Sequence, residues 1–275
     1  DDLDYDFVAK GDVEAAAYDL VHGGLEGFGD RMRDNDEITR WASLGAFVVE
    51  QHPNHPEYLI CELETSRGCP YRCSFCTEPL YGADPSFRTP ESVVGEVGAL
   101  AEHGVTDFRL GRQADILAYG GDGECPNPDA LRALYGGIRD AVPDLDTLHL
   151  DNMNPITIVR WPEKAREGIR IIAEHNTPGD TAAFGLESAD PVVQEQNNLN
   201  VTADECFRAV EIVNEEAGWR PEGEPARLPK LLPGINLVHG LQGERRETFE
   251  HNRAFLERVY DAGLALRRVN IRQVM

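Results

Sequence analysis

The chain has 275 residues, room for one large α/β domain or two smaller ones, and its 41% hydrophobic content can supply a substantial core. Its net charge is −23, from 49 acidic and 26 basic residues, and the only lysines are Lys10, Lys164 and Lys230. Carboxylates spread evenly along the whole length suggest a surface adapted to high salt and count against a broad nucleic-acid footprint; no run of about 18 apolar residues reads as a membrane span.

Taken in order, residues 1–24 read as strand, turn and helix, with an acidic start unlike a secretory leader. The helix over Val13–Gly24 ends on Gly23-Gly24, a common stop signal. Residues 25–56 read as a connector with a short helix near Glu37–Phe47 and prolines at 53 and 56. From residue 58 apolar strands alternate with helices. Strands are expected over 58–65, 105–111, 145–152, 181–188, 230–240 and 265–275. Helices are expected from Thr89-Pro90 to about His103, after Asn127 to about Val142, and near 162–176, 203–217 and 245–262. Six strands alternating with helices imply parallel βαβ units. The missing initial Met and the strand-like final residues read as a segment of a longer chain.

The loop after the first strand holds Cys69, Cys73 and Cys76 at spacing C-x3-C-x2-C. Three thiolates this close can share one metal centre, and three rather than four leave one corner of an iron–sulfur cubane open. An open position is what separates a catalytic from a structural metal site. A zinc knuckle is the alternative, although zinc favours four ligands in two pairs and no second pair follows. A disulfide-bonded loop fits a short secreted chain better than one of this length, so reduced thiols point to the cytoplasm.

With Phe75 just before the third cysteine, the motif resembles that of the radical S-adenosylmethionine (SAM) superfamily. The resemblance implies a 4Fe–4S cluster on Cys69, Cys73 and Cys76, and SAM chelating the open iron. It implies reductive cleavage of SAM to a 5′-deoxyadenosyl radical, hydrogen abstraction from a substrate, and an electron donor such as a ferredoxin or flavodoxin. The implied fold is α/β: a partial (β/α)6 TIM-like barrel of parallel strands over 57–275 with an N-terminal αβ extension. Residues 1–56 would be the tail of a Rossmann-like domain plus connector, or a local extension packed on the barrel.

Ligands of parallel barrels gather at the carboxyl ends of the strands, so each exit carries candidates. Phe75 resembles the residue that approaches adenine, with simple loop packing as its other reading. Gly111 stands where the superfamily keeps a Gly-rich turn, although the usual Gly-Gly-Glu is missing; Gln113 and Asp115 are candidates for the SAM ammonium. The same segment is similar to the Gly-Gln…Tyr-Gly of methylthiotransferases, at different spacing. Asp151 and Asn152 could meet ribose or substrate hydroxyls, or cap a turn. Gly185-Leu186-Glu187-Ser188 resembles the Gly-x-Glu-Ser of cobalamin-type radical enzymes, which places Glu187 on the ribose; a carboxylate at a helix start is the alternative. Gly234 and Gly240 resemble the Gly-rich fifth strand near adenine, with Glu244 capping the next helix. Arg268 and Arg272 could point inward or pair with neighbouring acids, the second being favoured. Asn197, Asn198 and Asn200 form a polar cluster of unassigned role. Cys61 and Cys206 read as packed apolar residues, and Cys125 as a candidate hydrogen-atom donor or extra ligand.

Residues 58–80, with Arg112–Tyr119, also resemble an uncharacterised archaeal radical-enzyme family whose members carry a helix-hairpin-helix module after the barrel. A nucleic-acid partner is expected only through such a module, outside this segment. Methylthiotransferase-like modification of RNA or protein is an alternative activity; it needs a second cluster, and residues 1–60 contain no cysteine. A non-catalytic iron–sulfur or zinc binding module is the alternative of another class.

Overall fold

The computed structural model describes residues 11–27, 31–77, 85–121, 123–223 and 228–274. The strand expected before the first helix lies outside these, apart from a parallel bridge between Gly11 and Arg31. Helix α1 (Val13–Gly27) breaks at Gly24, whose φ of 65° is non-helical. Helix α2 (Asn35–Gly45) opens on a capping box, in which Asp34 accepts from Glu37 N–H and the Glu37 side chain accepts from Asp34 N–H. Arg31 bridges Asp19 and Glu37, and Asp12 pairs with both Arg33 and Arg67, which ties this region to the first loop of the main domain.

The main domain runs β1 (Ile60–Glu64), a two-residue hairpin of β2 (Ser66–Arg67) and β3 (Ser86–Phe87), α3 (Pro90–Glu102), β4 (Asp107–Gly111), α4 (Pro128–Ala141) and β5 (Thr147–Leu150). It continues through α5 (Pro155–Arg160), α6 (Pro162–His175), β6 (Asp180–Glu187), α7 (Pro191–Gln196), α8 (Ala203–Ala217), β7 (Leu231–His239), α9 (Arg246–Asp261) and β8 (Arg268–Gln273). The six long strands are parallel within sheets ordered β1-β4-β5 and β6-β7-β8. The two sheets join where Ala183 bridges Asn152 and Met153 N–H donates to Ala183 O at 3.2 Å. Among the described residues β1 and β8 do not pair, so the strands form an open arc rather than a closed barrel.

The expected strands and long helices are present within a few residues of the positions read from the sequence. Two short helices, α5 and α7, were missed. Each has only six residues, too few for a 3.6-residue pattern, yet each carries a local start signal: Asn154-Pro155 and Asp190-Pro191, with the Asn or Asp side chain accepting from the N2 N–H.

Alternation along the strands decides the layers. In β4, Phe108 and Leu110 are fully buried towards the helices, while Arg109 between them faces the concave side. The core lies between sheet and helices and includes Leu63, Leu148, Leu150, Phe184, Leu186, Ile235 and Leu237. The concave side is polar. Arg109 pairs with Asp151 and lies 3.9 Å from Glu62, and Asn270 donates to Asn236 at 2.9 Å. Gly111 and Gly234 serve this crowded interior: a Cβ at Gly111 would run into the Glu62 side chain, and one at Gly234 would sit 2.6 Å from Thr181 and 3.1 Å from Arg268.

At the amino end of β6, Asp180 is fully buried and accepts from the Leu150 and Thr181 N–H groups and from Asn176. Burial pushes its carboxyl up from 3.8 to about 7, against those hydrogen bonds. An acid whose folded pKa is raised favours the fold most below its unfolded pKa, and that stability is lost as pH rises through the folded value. Wild-type protein should therefore lose melting temperature between about pH 4 and pH 7. Asp180→Asn, which cannot ionise but keeps an oxygen for Thr181 N–H, should lose less. A wild-type-minus-variant difference that is constant across this range would remove Asp180 as the source.

Candidate active site

A cavity of about 380 Å³ opens at the carboxyl ends of the strands. Its lining includes Cys69, Cys73, Cys76, Phe75, Gln113 and Glu187, drawn from the loops after β1, β4 and β6. The hairpin pinches the base of the cysteine loop: Ser66 pairs with Phe87 and Arg67 with Ser86, and Arg88 N–H donates to Thr65 O at 3.0 Å. Inside the loop Cys76 N–H donates to Cys73 O at 3.1 Å, a tight turn that brings two of the thiols together.

The donor set fits an iron–sulfur cluster. Burial pushes the Cys73 thiol up to about 11, and the neighbouring Cys76 and Cys69 and the Glu187 carboxylate add to it. Anionic sulfurs crowded in this way need positive charge between them. A cubane takes one thiolate at each of three iron corners.

Glu187 ends β6 in the left-handed region, with φ 61°, just past a register shift in the pairing with β7. The reversal folds its carboxylate back over Gly185, where a Cβ would lie 2.7 Å from Glu187 Oε1. A side chain at position 185 would have to displace that carboxylate. Burial pushes the Glu187 carboxyl up from 4.5 to about 7, partly offset by Arg272 across the cavity. Arg272 therefore faces inward from β8, the less favoured of the two expectations, the other being pairing with neighbouring acids. The parallel register sets Asn236 and Asn270 in one row and Val238 and Arg272 in the next, on the concave side.

Other candidates are placed differently. Gln113 lines the cavity, but its Oε1 accepts from Thr65 Oγ1 at 3.4 Å and its Nε2 donates to Leu110 O at 2.9 Å. Asp115 is buried, caps the turn at Ile116–Ala118 and accepts from Asn154 N–H; burial pushes its carboxyl up to about 6. Ser188 is buried, and its Oγ accepts from Asp190 N–H at 3.2 Å. Gly111, Gly234 and Gly240 do not line the cavity; Gly240 ends β7 with φ 88°. Glu244 does not cap α9, which starts two residues later. It accepts instead from Gly240 N–H at 3.0 Å and from His239 Nδ1 at 3.1 Å, closing the turn. Cys125 lies away from this cavity, 3.3 Å from Lys164 Nζ. Cys206 is buried in α8, and Cys61 packs against the core.

Tyr71, Asn154, Asn200 and Asn236 also line the cavity and were missed as individual candidates. Tyr71 had a usable signal, since it sits between two of the cysteines. Asn236 had a weaker one, as a polar residue inside an otherwise apolar strand.

The family described as the Radical SAM superfamily matches residues 63–256. An uncharacterized protein of Methanocaldococcus jannaschii is 44% identical over 283 residues, covering 98% of this chain and 51% of that protein. The ribosomal protein uS12 methylthiotransferase RimO of a Synechococcus species is 26% identical over 235 residues, covering 83% of this chain and 44% of its own. Among solved structures, coproporphyrinogen III oxidase (HemN) of Escherichia coli, titled a radical SAM enzyme, aligns with a TM-score of 0.53 at 14% identity, over 83% of this chain and 47% of that one. The cobalamin-dependent S-adenosylmethionine radical enzyme OxsB aligns with a TM-score of 0.53 at 16% identity, over 72% of this chain and 26% of that one. At these identities the structural likeness shows the fold alone. The chain spans about half the length of the curated relatives it matches.

Proposed function

This chain belongs to the Radical SAM superfamily, and from that premise we propose that it carries the catalytic barrel of an enzyme that cleaves SAM reductively and abstracts hydrogen from its substrate. One observation carries the reading: Cys69, Cys73 and Cys76 share a single cavity at the strand exits with Phe75 and the half-buried Glu187. Cys69, Cys73 and Cys76 would hold a 4Fe–4S cluster. When bound, the cluster supplies the electron that breaks the C–S bond of SAM, giving methionine and a 5′-deoxyadenosyl radical.

The chain's own side chains bind and orient. Glu187 accepts from the ribose hydroxyls, Phe75 packs against adenine, and Asn152, Asn236 and Asn200 offer further hydrogen bonds within the cavity. Glu187 and Arg272 balance each other's charge there. The fold excludes bulk water from one side by seating Phe75 with Leu199 against Val193, Val238 and Leu241. The electron comes from a ferredoxin or flavodoxin, in the cytoplasm; no helix among the described residues is long and apolar enough to cross a membrane. Residues 57–275 form the core and residues 1–56 the extension.

The direct test is product formation. Reconstituted, reduced protein should convert SAM to 5′-deoxyadenosine and methionine without added substrate. A full, reducible cluster that yields no 5′-deoxyadenosine would refute the catalytic reading in favour of a cluster-binding module. A second reading, methylthiotransferase-like modification of RNA or protein, draws on the 26% identity to the uS12 methylthiotransferase. It requires a second set of cluster ligands, which residues 1–60 do not hold.

A further inference from the structure

The turn between α7 and α8 contacts the cysteine loop over more than a hundred residues of sequence, and one side chain makes most of the connection. Asn197 is 2% exposed. Its Oδ1 accepts from Ser74 Oγ at 2.9 Å and from Gln242 N–H at 3.2 Å. Its Nδ2 donates to Val193 O and to Gln242 O, both at 2.8 Å. Its backbone carbonyl accepts from Ser74 N–H at 3.0 Å. The carboxamide thus uses both donor hydrogens and two acceptor sites. One of these bonds, to Val193 O, also caps the end of α7.

Asn197 joins three strand exits at one point: Ser74 in the loop after β1, the end of α7 after β6, and Gln242 in the turn after β7. The next residues extend the contact. Asn198, in the left-handed region that asparagine tolerates (φ 50°), donates its Nδ2 to Arg72 O at 2.9 Å. Leu199 packs with Phe75 in a small apolar cluster.

We propose that Asn197 is the positioning residue of the cysteine loop, clamping it to the exits of β6 and β7. The proposal rests on the reading of Cys69, Cys73 and Cys76 as cluster ligands. The clamp therefore acts on loop order.

The test compares Asn197→Ala, Ser74→Ala and Ser74→Thr with wild type. Ser74→Ala leaves α7 untouched and removes only the hydroxyl donor; Ser74→Thr keeps it. In metal-free protein, alkylation of Cys73 by iodoacetamide should be roughly two- to tenfold faster in Asn197→Ala and Ser74→Ala, the range set by losing one hydrogen bond. In reconstituted protein, the same two variants should show faster iron loss to a chelator. Ser74→Thr should behave as wild type in both. If Asn197→Ala lowers the melting temperature but leaves alkylation and iron loss unchanged, Asn197 is a structural tie and the proposal is wrong. If wild-type protein takes up no iron and sulfide, the cluster reading fails, while the alkylation rates still decide whether the clamp exists.

Discussion

Anaerobic reconstitution should load about four irons and four sulfides per chain, as three thiolates around a cubane with one open corner require. Cys69→Ala, Cys73→Ala and Cys76→Ala should each abolish that loading. The loss should be nearly complete for any one of them, because two remaining thiolates hold only two corners. Cys206→Ala, inside the apolar core of α8, and Cys125→Ala, in a separate cavity beside Lys164, should both load normally. One zinc without sulfide in the wild type would overturn the cluster reading. Normal loading of a Cys125 variant would also end the suggestion that this residue is an extra ligand, and the placement of its sulfur argues for that result.

Glu187 should give the second large effect. Its carboxylate is half-buried, folded over Gly185 and turned into the cavity by a left-handed backbone. Glu187→Ala should keep the cluster and weaken SAM binding by about 1.5–3 kcal/mol, the range for a hydrogen bond to a charged group. That is roughly a ten- to hundredfold rise in Kd. Glu187→Gln keeps the shape and one acceptor, so it should fall between. A pH signature goes with this. Burial holds the carboxyl at about 7, so the ionised acceptor is lost as pH falls through that value. Wild-type affinity should rise across it, and the Glu187→Gln profile should be flatter. Unchanged affinity in Glu187→Ala, measured on protein with full iron content, would return Glu187 to the role of a strand-end acid.

These results would bear on local structure of very different origin. The cysteine triad is a local feature: the three thiols lie within eight residues, so spacing alone brings them near each other. The βα alternation is legible for a similar reason. Several long strands, such as β6 and β7, are short apolar runs, and several long helices have a proline and a capping residue at their start, as at Thr89-Pro90 and Asn127-Pro128. Glu187 stood out as a candidate through Gly-x-Glu-Ser, but the left-handed backbone that lays its carboxylate beside Gly185 was not legible.

The charged concave face depended on tertiary structure. Alternating Glu62 and Glu64 in β1 reads as the wet side of an amphipathic strand. The parallel pairing instead sets Glu62 beside Arg109 and directs both into the arc, where Asp151 completes the charge balance. Gly111, Gly234 and Gly240 look alike as small residues near strand ends, yet the first two give space to side chains of neighbouring strands and the third turns the chain. Asn197 shows the limit most plainly. Nothing local distinguishes it from Asn198 or Asn200. Its partners lie 123 and 45 positions away, and a hydrogen bond of that range is set by which strands stand side by side. Short-range spacing could therefore determine the cysteine triad, the elements and their order, whereas the surroundings of those cysteines required the packed arc, because burial and long-range pairing are properties of the assembled chain.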